Sequence, residues 1–149
     1  MTTSVRFAIH GGGYIAKIHA KAVSETANAE LVAIAGRSGS ASELAKIAGV
    51  PWLDGEDGLV AAATRGEFDV AILCTPNTMH APVGLRLLDA GVHLLVEKPM
   101  TTSFADAQAL ADRARANGLH AATAHMWRVD REATWLRDQV AAGAIGSVY

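Results

Sequence analysis

The chain has 149 residues, half of them hydrophobic, and a formal net charge of −2 from 13 basic and 15 acidic side chains. This composition suits one globular domain with a filled core and argues against disorder. Because neither sign of charge forms a long run, we expect no nucleic-acid partner and no membrane partner. A single cysteine, Cys74, ends an apolar run and indicates a buried structural thiol in a reducing compartment. The N-terminus lacks the pattern of a secretory signal, so we expect a cytoplasmic protein.

The first 36 residues predict a strand, a turn, a helix and a second strand. Apolar patterning places these elements at Val5–Ile9, Tyr14–Glu25 and Glu30–Gly36. In the turn, Gly11, Gly13 and Ala16 fit the pattern G-x-G-x-x-G/A, which brings backbone amides of a helix N-terminus close to a pyrophosphate. Taken alone, the motif is equally compatible with a structural turn in a domain that binds no nucleotide.

The remaining residues continue the alternation of helices and strands. Helices are predicted at Ala41–Gly49, Asp57–Ala63, Pro82–Gly91, Ser103–Gly118 and Arg131–Ala142. Strands are predicted at Pro51–Leu53, Asp69–Cys74, Val92–Val96 and His120–Ala124, and Ser147–Tyr149 is predicted to be the start of a strand that the chain does not complete. With right-handed crossovers, this alternation gives an α/β fold: a doubly wound, mostly parallel Rossmann-type sheet with helices on both faces. Ligands of such sheets bind beyond the carboxyl ends of the strands.

The second strand ends in a segment that bears on the choice of cofactor. An acidic residue about 20 positions after the glycines binds the 2′-hydroxyl of NAD in such folds. This chain has Arg37 and Ser38 there instead. A guanidinium grips phosphate oxygens, so the pair favours the 2′-phosphate of NADP, with NAD as the alternative. An equally open interpretation is that Arg37 is a solvated loop residue.

Lys98 follows the fifth predicted strand, within the triplet Glu97-Lys98-Pro99. A lysine at the carboxyl end of a buried strand can extend its ammonium into the ligand crevice. There it would hydrogen-bond a substrate hydroxyl or carbonyl and assist proton transfer while a hydride moves. From the residues alone, a purely structural Glu-Lys turn is the competing explanation.

Other chemistries lack their motifs. The six histidines are scattered over different elements, without a H-E-x-x-H or paired C-x-x-C pattern, so no metal site is expected. No G-x-S-x-G nucleophile elbow follows a predicted strand. The glycine turn also lacks the Gly-Lys-Ser/Thr ending of a P-loop.

Four segments in order give the chain a resemblance to a known family. They are Gly11 to Ala16 with His19 and Ala20, Thr75-Pro76-Asn77 with His80, Glu97-Lys98-Pro99, and Gly143 to Tyr149. Together they resemble the nucleotide-binding half of the glucose-fructose oxidoreductase and inositol dehydrogenase family (Gfo/Idh/MocA). The resemblance implies an NAD(P)-dependent oxidoreductase acting on sugars, cyclic polyols or related hydroxy and carbonyl compounds.

The resemblance also implies roles for particular residues. Lys98 would be catalytic, and the implied cofactor contacts are Gly11, Gly13, Tyr14, Ile15, Thr75, Pro76, Asn77, His80, Glu97, Lys98, Trp127 and Arg128. Residues 1–124 would be the dinucleotide-binding domain, and 125–149 a linker helix and the start of a substrate domain absent from this chain. The full-length protein would be a homo-oligomer with a small-molecule substrate. A catalytically silent dinucleotide-binding module or redox sensor is the rival hypothesis.

Overall fold

Strands and helices alternate along residues 4–148, the part of the chain that the computed structural model describes. The strands are β1 (Val5–His10), β2 (Ala29–Ala35), β3 (Trp52–Leu53), β4 (Val70–Leu73), β5 (His93–Val96) and β6 (Ala121–Thr123). The α-helices are α1 (Tyr14–Glu25), α2 (Gly39–Ala48), α3 (Gly55–Thr64), α4 (His80–Asp89), α5 (Phe104–Ala116) and α6 (Arg131–Ala141). The predicted α/β class is confirmed, with boundaries that move by one or two residues at most ends.

The six strands form one parallel sheet with the order β3-β2-β1-β4-β5-β6. The chain runs outward from β1 to β3, returns to pair β4 with the other side of β1, and then continues outward to β6. The direction of winding therefore reverses between β1 and β4. A doubly wound sheet opens a crevice at such a reversal, above the carboxyl ends of its strands.

Helices cover both faces of the sheet because alternate strand residues point to opposite sides. Helices α1 and α2 pack on one face against Ile9, Ile34 and Ile72. Helices α3, α4 and α5 pack on the other face, where Leu73 and a set of fully buried leucines form the larger core: Leu59, Leu87, Leu88 and Leu110. Each such leucine contributes about 2 kcal/mol relative to an exposed position. The two cores hold the strand ends, and hence the crevice, in place.

The C-terminal part differs from the prediction. Ser147 and Val148 lie in no strand, and Tyr149 lies outside the described residues, so the predicted final strand is wrong over the two residues that the structure describes. A strand needs a neighbour to complete its hydrogen bonds, and no described strand pairs with this segment. Two 3-10 helices, Asn77–Met79 and Met126–Arg128, went unpredicted because three residues are too few to show a period.

Candidate functional site

A crevice of about 440 Å³ lies where β1, β2 and β4 end. It is lined by His10, Gly11, Gly12, Gly13, Gly36, Arg37, Ser38, Glu56, Cys74, Thr75, Pro76 and Met79. Six of the predicted site residues therefore meet there, although they come from three separate strand ends: Gly11, Gly13, Arg37, Ser38, Thr75 and Pro76. Tyr14 and Ile15 follow directly in the first turn of α1, where Tyr14 is exposed and Ile15 is half-buried.

The three glycines differ in what an added Cβ would meet. A Cβ on Gly11, whose φ is +128°, would lie 2.7 Å from the carbonyl oxygen of Cys74. A Cβ on Gly12 would lie 2.2 Å from the backbone nitrogen of Ala41 in α2. A Cβ on Gly13 would meet no protein atom within 4 Å. Packing thus explains the first two glycines, whereas Gly13 leaves open space in front of α1. The sequence pattern did not single out Gly12.

The N-terminus of α1 faces this open space. Gly13 is its N-cap and makes no side-chain cap hydrogen bond, and the first turn carries no acidic side chain. The first amides of a helix have no partner within it, and they form the positive end of the helix dipole. Helix α5, by contrast, has Ser103 accepting a hydrogen bond from the amide of Asp106. The α1 amides are therefore available to an anion in the crevice.

Arg37 lies at the β2 side of the crevice, as predicted, but it is paired. Its Nη2 donates to Oε1 of Glu56 over 2.9 Å, while the carboxylate of Asp57 is 4.0 Å away. Glu56 is the second residue of α3, and it meets Arg37 because β2 and β3 are parallel neighbours whose ends lie side by side. Glu56 was missed because the sequence placed the start of α3 at Asp57, which left Glu56 as an unremarked loop residue.

Two buried polar atoms in the crevice wall have no hydrogen-bond partner among the described residues: Nδ1 of His10 and Oγ1 of Thr75. Burial lowers the pKa of His10 to about 4, against the opposing influence of the Glu56 carboxylate, so the imidazole is neutral at physiological pH. A buried polar group without a partner is costly, and such groups often serve a ligand. His10 was not predicted because a histidine that ends an apolar strand has no distinguishing motif.

Cys74 follows β4 and is partly buried beside the glycine turn. Burial, followed by the charge of Glu97, raises the pKa of its thiol to about 12. The thiol is therefore protonated at neutral pH and is a poor nucleophile. This agrees with the prediction of a structural cysteine.

His80 lies behind the crevice rather than on its wall, because its side chain is completely buried at the start of α4. Its Nε2 is 2.9 Å from the carbonyl oxygen of Thr75, and its Nδ1 is 3.2 Å from those of Pro99 and Met100. The ring thus joins the turn after β4 to the turn after β5. Asn77, which begins the intervening 3-10 helix, is exposed and does not line the crevice.

The turn after β5 holds Glu97 inside and Lys98 outside. Glu97 is buried, with Oε1 2.8 Å from Nε2 of His19 in α1 and Oε2 accepting from the amide of Lys98 over 3.1 Å. Lys98 is exposed at the end of the strand next to β4. The buried pair therefore ties α1, whose first turn faces the crevice, to the residue before the predicted catalytic lysine.

Trp127 and Arg128 are not brought into the crevice. They line a separate depression with Ala133, Thr134 and Arg137, beyond the edge strand β6. Trp127 is 77% exposed. The predicted contact of Trp127 and Arg128 with the cofactor stays a prediction.

Among residues 4–148, no three His, Cys, Asp or Glu side chains come together as metal ligands. Nor does any helix in that range combine the length and the apolarity that crossing a membrane requires.

A parallel sheet with this strand order, and a glycine turn at the point of reversal, defines the Rossmann class of dinucleotide-binding fold. The residues of the crevice suit that ligand. Gly13 leaves space for a pyrophosphate before the α1 amides, and Thr75 presents an unpartnered hydroxyl from the wall. The chain belongs to the Gfo/Idh/MocA oxidoreductase family, whose NAD-binding Rossmann fold matches residues 5–125.

The chain is similar in sequence and structure to several dehydrogenases and reductases. The chain is 31% identical to 4-carboxy-2-hydroxymuconate-6-semialdehyde dehydrogenase of Sphingobium sp., over 95% of this chain and 44% of that protein. It is 34% identical to D-glucoside 3-dehydrogenase of Escherichia coli, over 100% and 43% respectively. The crystal structure of KijD10, a 3-ketoreductase from Actinomadura kijaniata, in complex with TDP-benzene and NADP, superposes with a TM-score of 0.87 at 28% identity, over 97% and 46%. The chain thus spans less than half the length of these proteins.

Proposed function

We propose that this chain binds NADP(H), and NAD(H) less tightly, as the cofactor-binding part of an oxidoreductase. The substrate would be a sugar, a cyclic polyol or a related hydroxy or carbonyl compound. The observation that carries the proposal is the crevice at the β1–β4 reversal, where Gly13 leaves open space before the uncapped α1 N-terminus. The glucoside dehydrogenase and the NADP-bound ketoreductase among the similar proteins support the substrate class and the cofactor.

In this proposal the α1 amides beyond Gly11 and Gly13 would hold the pyrophosphate. Arg37 and Ser38, at the end of β2, would contact the adenosine ribose and its 2′-phosphate. Thr75 and Pro76 would line the cleft on the side of the nicotinamide. Tyr14, Ile15, Asn77, Trp127 and Arg128 would complete the contacts as the resemblance implies, and His80 would support the Thr75 turn from behind.

Lys98 is proposed as the catalytic residue. A bound dinucleotide would supply or accept the hydride. Lys98 would hydrogen-bond the reacting oxygen and give it a proton as a carbonyl becomes a hydroxyl, or take that proton in the reverse direction. The buried carboxylate of Glu97, bonded to His19 and to the Lys98 amide, would hold the backbone that carries this side chain.

We also propose that residues 125–149 link this domain to a substrate domain. Helix α6 has no buried residue, and it exposes Trp135 and Leu136 to an extent that suits packing against another surface. The greater length of the similar proteins supports the same view. A homo-oligomer and a cytoplasmic location complete the proposal, and the lone protonated cysteine suits a reducing compartment.

Calorimetric titration of the chain with NADPH and NADH tests the binding step. Saturable binding of at least one is expected, and no binding of either would refute the proposed function. Arg37→Ala should lower the affinity for NADPH more than the affinity for NADH, because only NADPH has a 2′-phosphate. The matched control is Arg115→Ala, another exposed arginine with an acidic partner, on α5 and away from the crevice lining. An unchanged NADPH:NADH affinity ratio in Arg37→Ala would contradict the preference for NADP.

The catalytic step is tested in a protein that carries this chain together with a substrate domain. Lys98→Ala should lower kcat by about 10²- to 10⁴-fold while dinucleotide affinity changes little. Lys46→Ala, at an exposed position near the end of α2, serves as the control. Dinucleotide binding with turnover unaffected by Lys98→Ala would instead favour a module that binds without catalysing.

A further inference from the structure

We infer that Glu56 is a cofactor-selectivity residue which limits the preference for NADP. The inference rests on the proposed function, because it concerns the adenosine end of the same crevice. Glu56 lines that crevice together with Arg37 and Ser38, and its side chain is 23% exposed, against 66% for Arg37. It thus places a carboxylate beside the guanidinium to which a 2′-phosphate would bind.

The contact between the two side chains is built into the backbone. Gly36 donates its amide to the carbonyl oxygen of Leu53 over 3.1 Å, so the segments after β2 and β3 leave the sheet together. Gly55 then has a φ of +60°, and a Cβ there would lie 2.8 Å from Nε of Arg37. Arg37 therefore crosses the bare backbone of Gly55 to reach Glu56 on the first turn of α3.

Glu56 is the acidic partner of Arg37, although a second carboxylate lies nearby. Asp57 is 72% exposed and 4.0 Å from Arg37, and its own partner is Arg86, at 2.8 Å on α4. Both acids also lie in the first turn of α3, where the helix dipole favours negative charge. The guanidinium is therefore largely neutralised by Glu56 before any ligand arrives.

This arrangement acts in opposite directions on the two cofactors. A 2′-phosphate must compete with Glu56 for the Arg37 donors, and its negative charge is repelled by the carboxylate. A ribose 2′-hydroxyl can instead donate a hydrogen bond to a carboxylate, as it does in NAD-binding folds. Glu56 thus supplies, from α3, the acidic group that the end of β2 lacks.

Calorimetric affinities of NADPH and NADH for Glu56→Gln and the unmodified chain test the inference. Glu56→Gln is expected to raise the NADPH:NADH affinity ratio roughly five- to ten-fold at low salt, the size expected for one charge near the surface. The change should shrink at high ionic strength, because salt screens exposed charges. Asp57→Asn, which removes a charge from the same turn, is the matched control and should shift the ratio far less.

A second variant, Glu56→Lys, reverses the charge and should raise the ratio further. Thermal unfolding of each variant verifies that it is folded. If Glu56 had only a structural role, its substitution would lower the affinities for NADPH and NADH alike and leave their ratio unchanged. An unchanged or lowered ratio in either folded variant overturns the inference while leaving the proposed function standing, whereas failure of the unmodified chain to bind either dinucleotide overturns both.

Discussion

Gly12 and Gly13 are adjacent in the turn after β1. Alanine at position 12 should lower the stability of the fold, whereas alanine at position 13 should lower the affinity for dinucleotide. In Gly12→Ala the new Cβ would lie 2.2 Å from Ala41 N and 2.4 Å from Ala41 Cα, where ordinary contact begins at 3.4 Å. These are backbone atoms of α2 and cannot rotate away, so the helix must move by about an ångström, at a cost of ~3 kcal/mol. For a domain of this size, ~3 kcal/mol lowers the melting temperature by roughly 10 °C.

Gly13→Ala should leave stability almost unchanged. Its φ of −73° and ψ of −174° are available to alanine, and the new Cβ would meet no protein atom within 4 Å. Alanine is a poorer N-cap than glycine, which destabilises the folded state, but it also reduces the entropy of the unfolded chain, which stabilises the folded state. Each effect changes the free energy of unfolding by less than about 1 kcal/mol, and the two oppose each other. The methyl group would occupy the space in front of the α1 amides, however, so affinity for dinucleotide should fall about ten-fold or more.

Thermal unfolding followed by circular dichroism, together with calorimetric titration, measures both variants against the unmodified chain. The expected pattern is a destabilised Gly12→Ala and a stable Gly13→Ala that binds weakly. Two results would refute the reasoning: a Gly12→Ala as stable as the unmodified chain, or a Gly13→Ala that binds NADPH and NADH with undiminished affinity.

Three further predictions follow from the core and the crevice wall. Leu110→Ala, at a fully buried position, should lower the free energy of unfolding by about 2–5 kcal/mol. Leu136→Ala, at a position 54% exposed, should lower it far less. Equal losses of stability in urea unfolding would contradict the assigned core. His10 has an ordinary pKa of 6.5 and a folded pKa of about 4, so only the unfolded chain binds its proton between these values. The free energy of unfolding should therefore fall by up to roughly 3 kcal/mol as pH drops from 6.5 to 4, and His10→Gln should flatten that decline. Cys74 should react with iodoacetamide at pH 8 roughly a thousand-fold more slowly in the folded chain than in urea, since its pKa is about 12; similar rates would show a reactive thiolate.

The periodicity of the sequence determined the succession of elements. Two local properties can be recognised without knowing which elements pack together. One is an apolar run such as the one that ends at Ile9, and the other is helical spacing that ends at a glycine, as at Gly49 and at Gly118. The glycine pattern and the strand ends likewise indicated where a ligand would bind, because parallel strands bring their carboxyl ends to one edge. Six of the predicted residues do meet at that edge: Gly11, Gly13, Arg37, Ser38, Thr75 and Pro76.

Only the tertiary structure decided what surrounds those residues. Arg37 and Glu56 are 19 residues apart, and they meet because β3 pairs with β2. A strand of two residues is too short for its pairing to be predicted from the sequence. Gly12 is required by the approach of α2, and His80 is buried because the turns after β4 and β5 close over it. Local sequence patterns show which face of a helix or strand is buried, whereas these contacts depend on how separate elements approach one another in space.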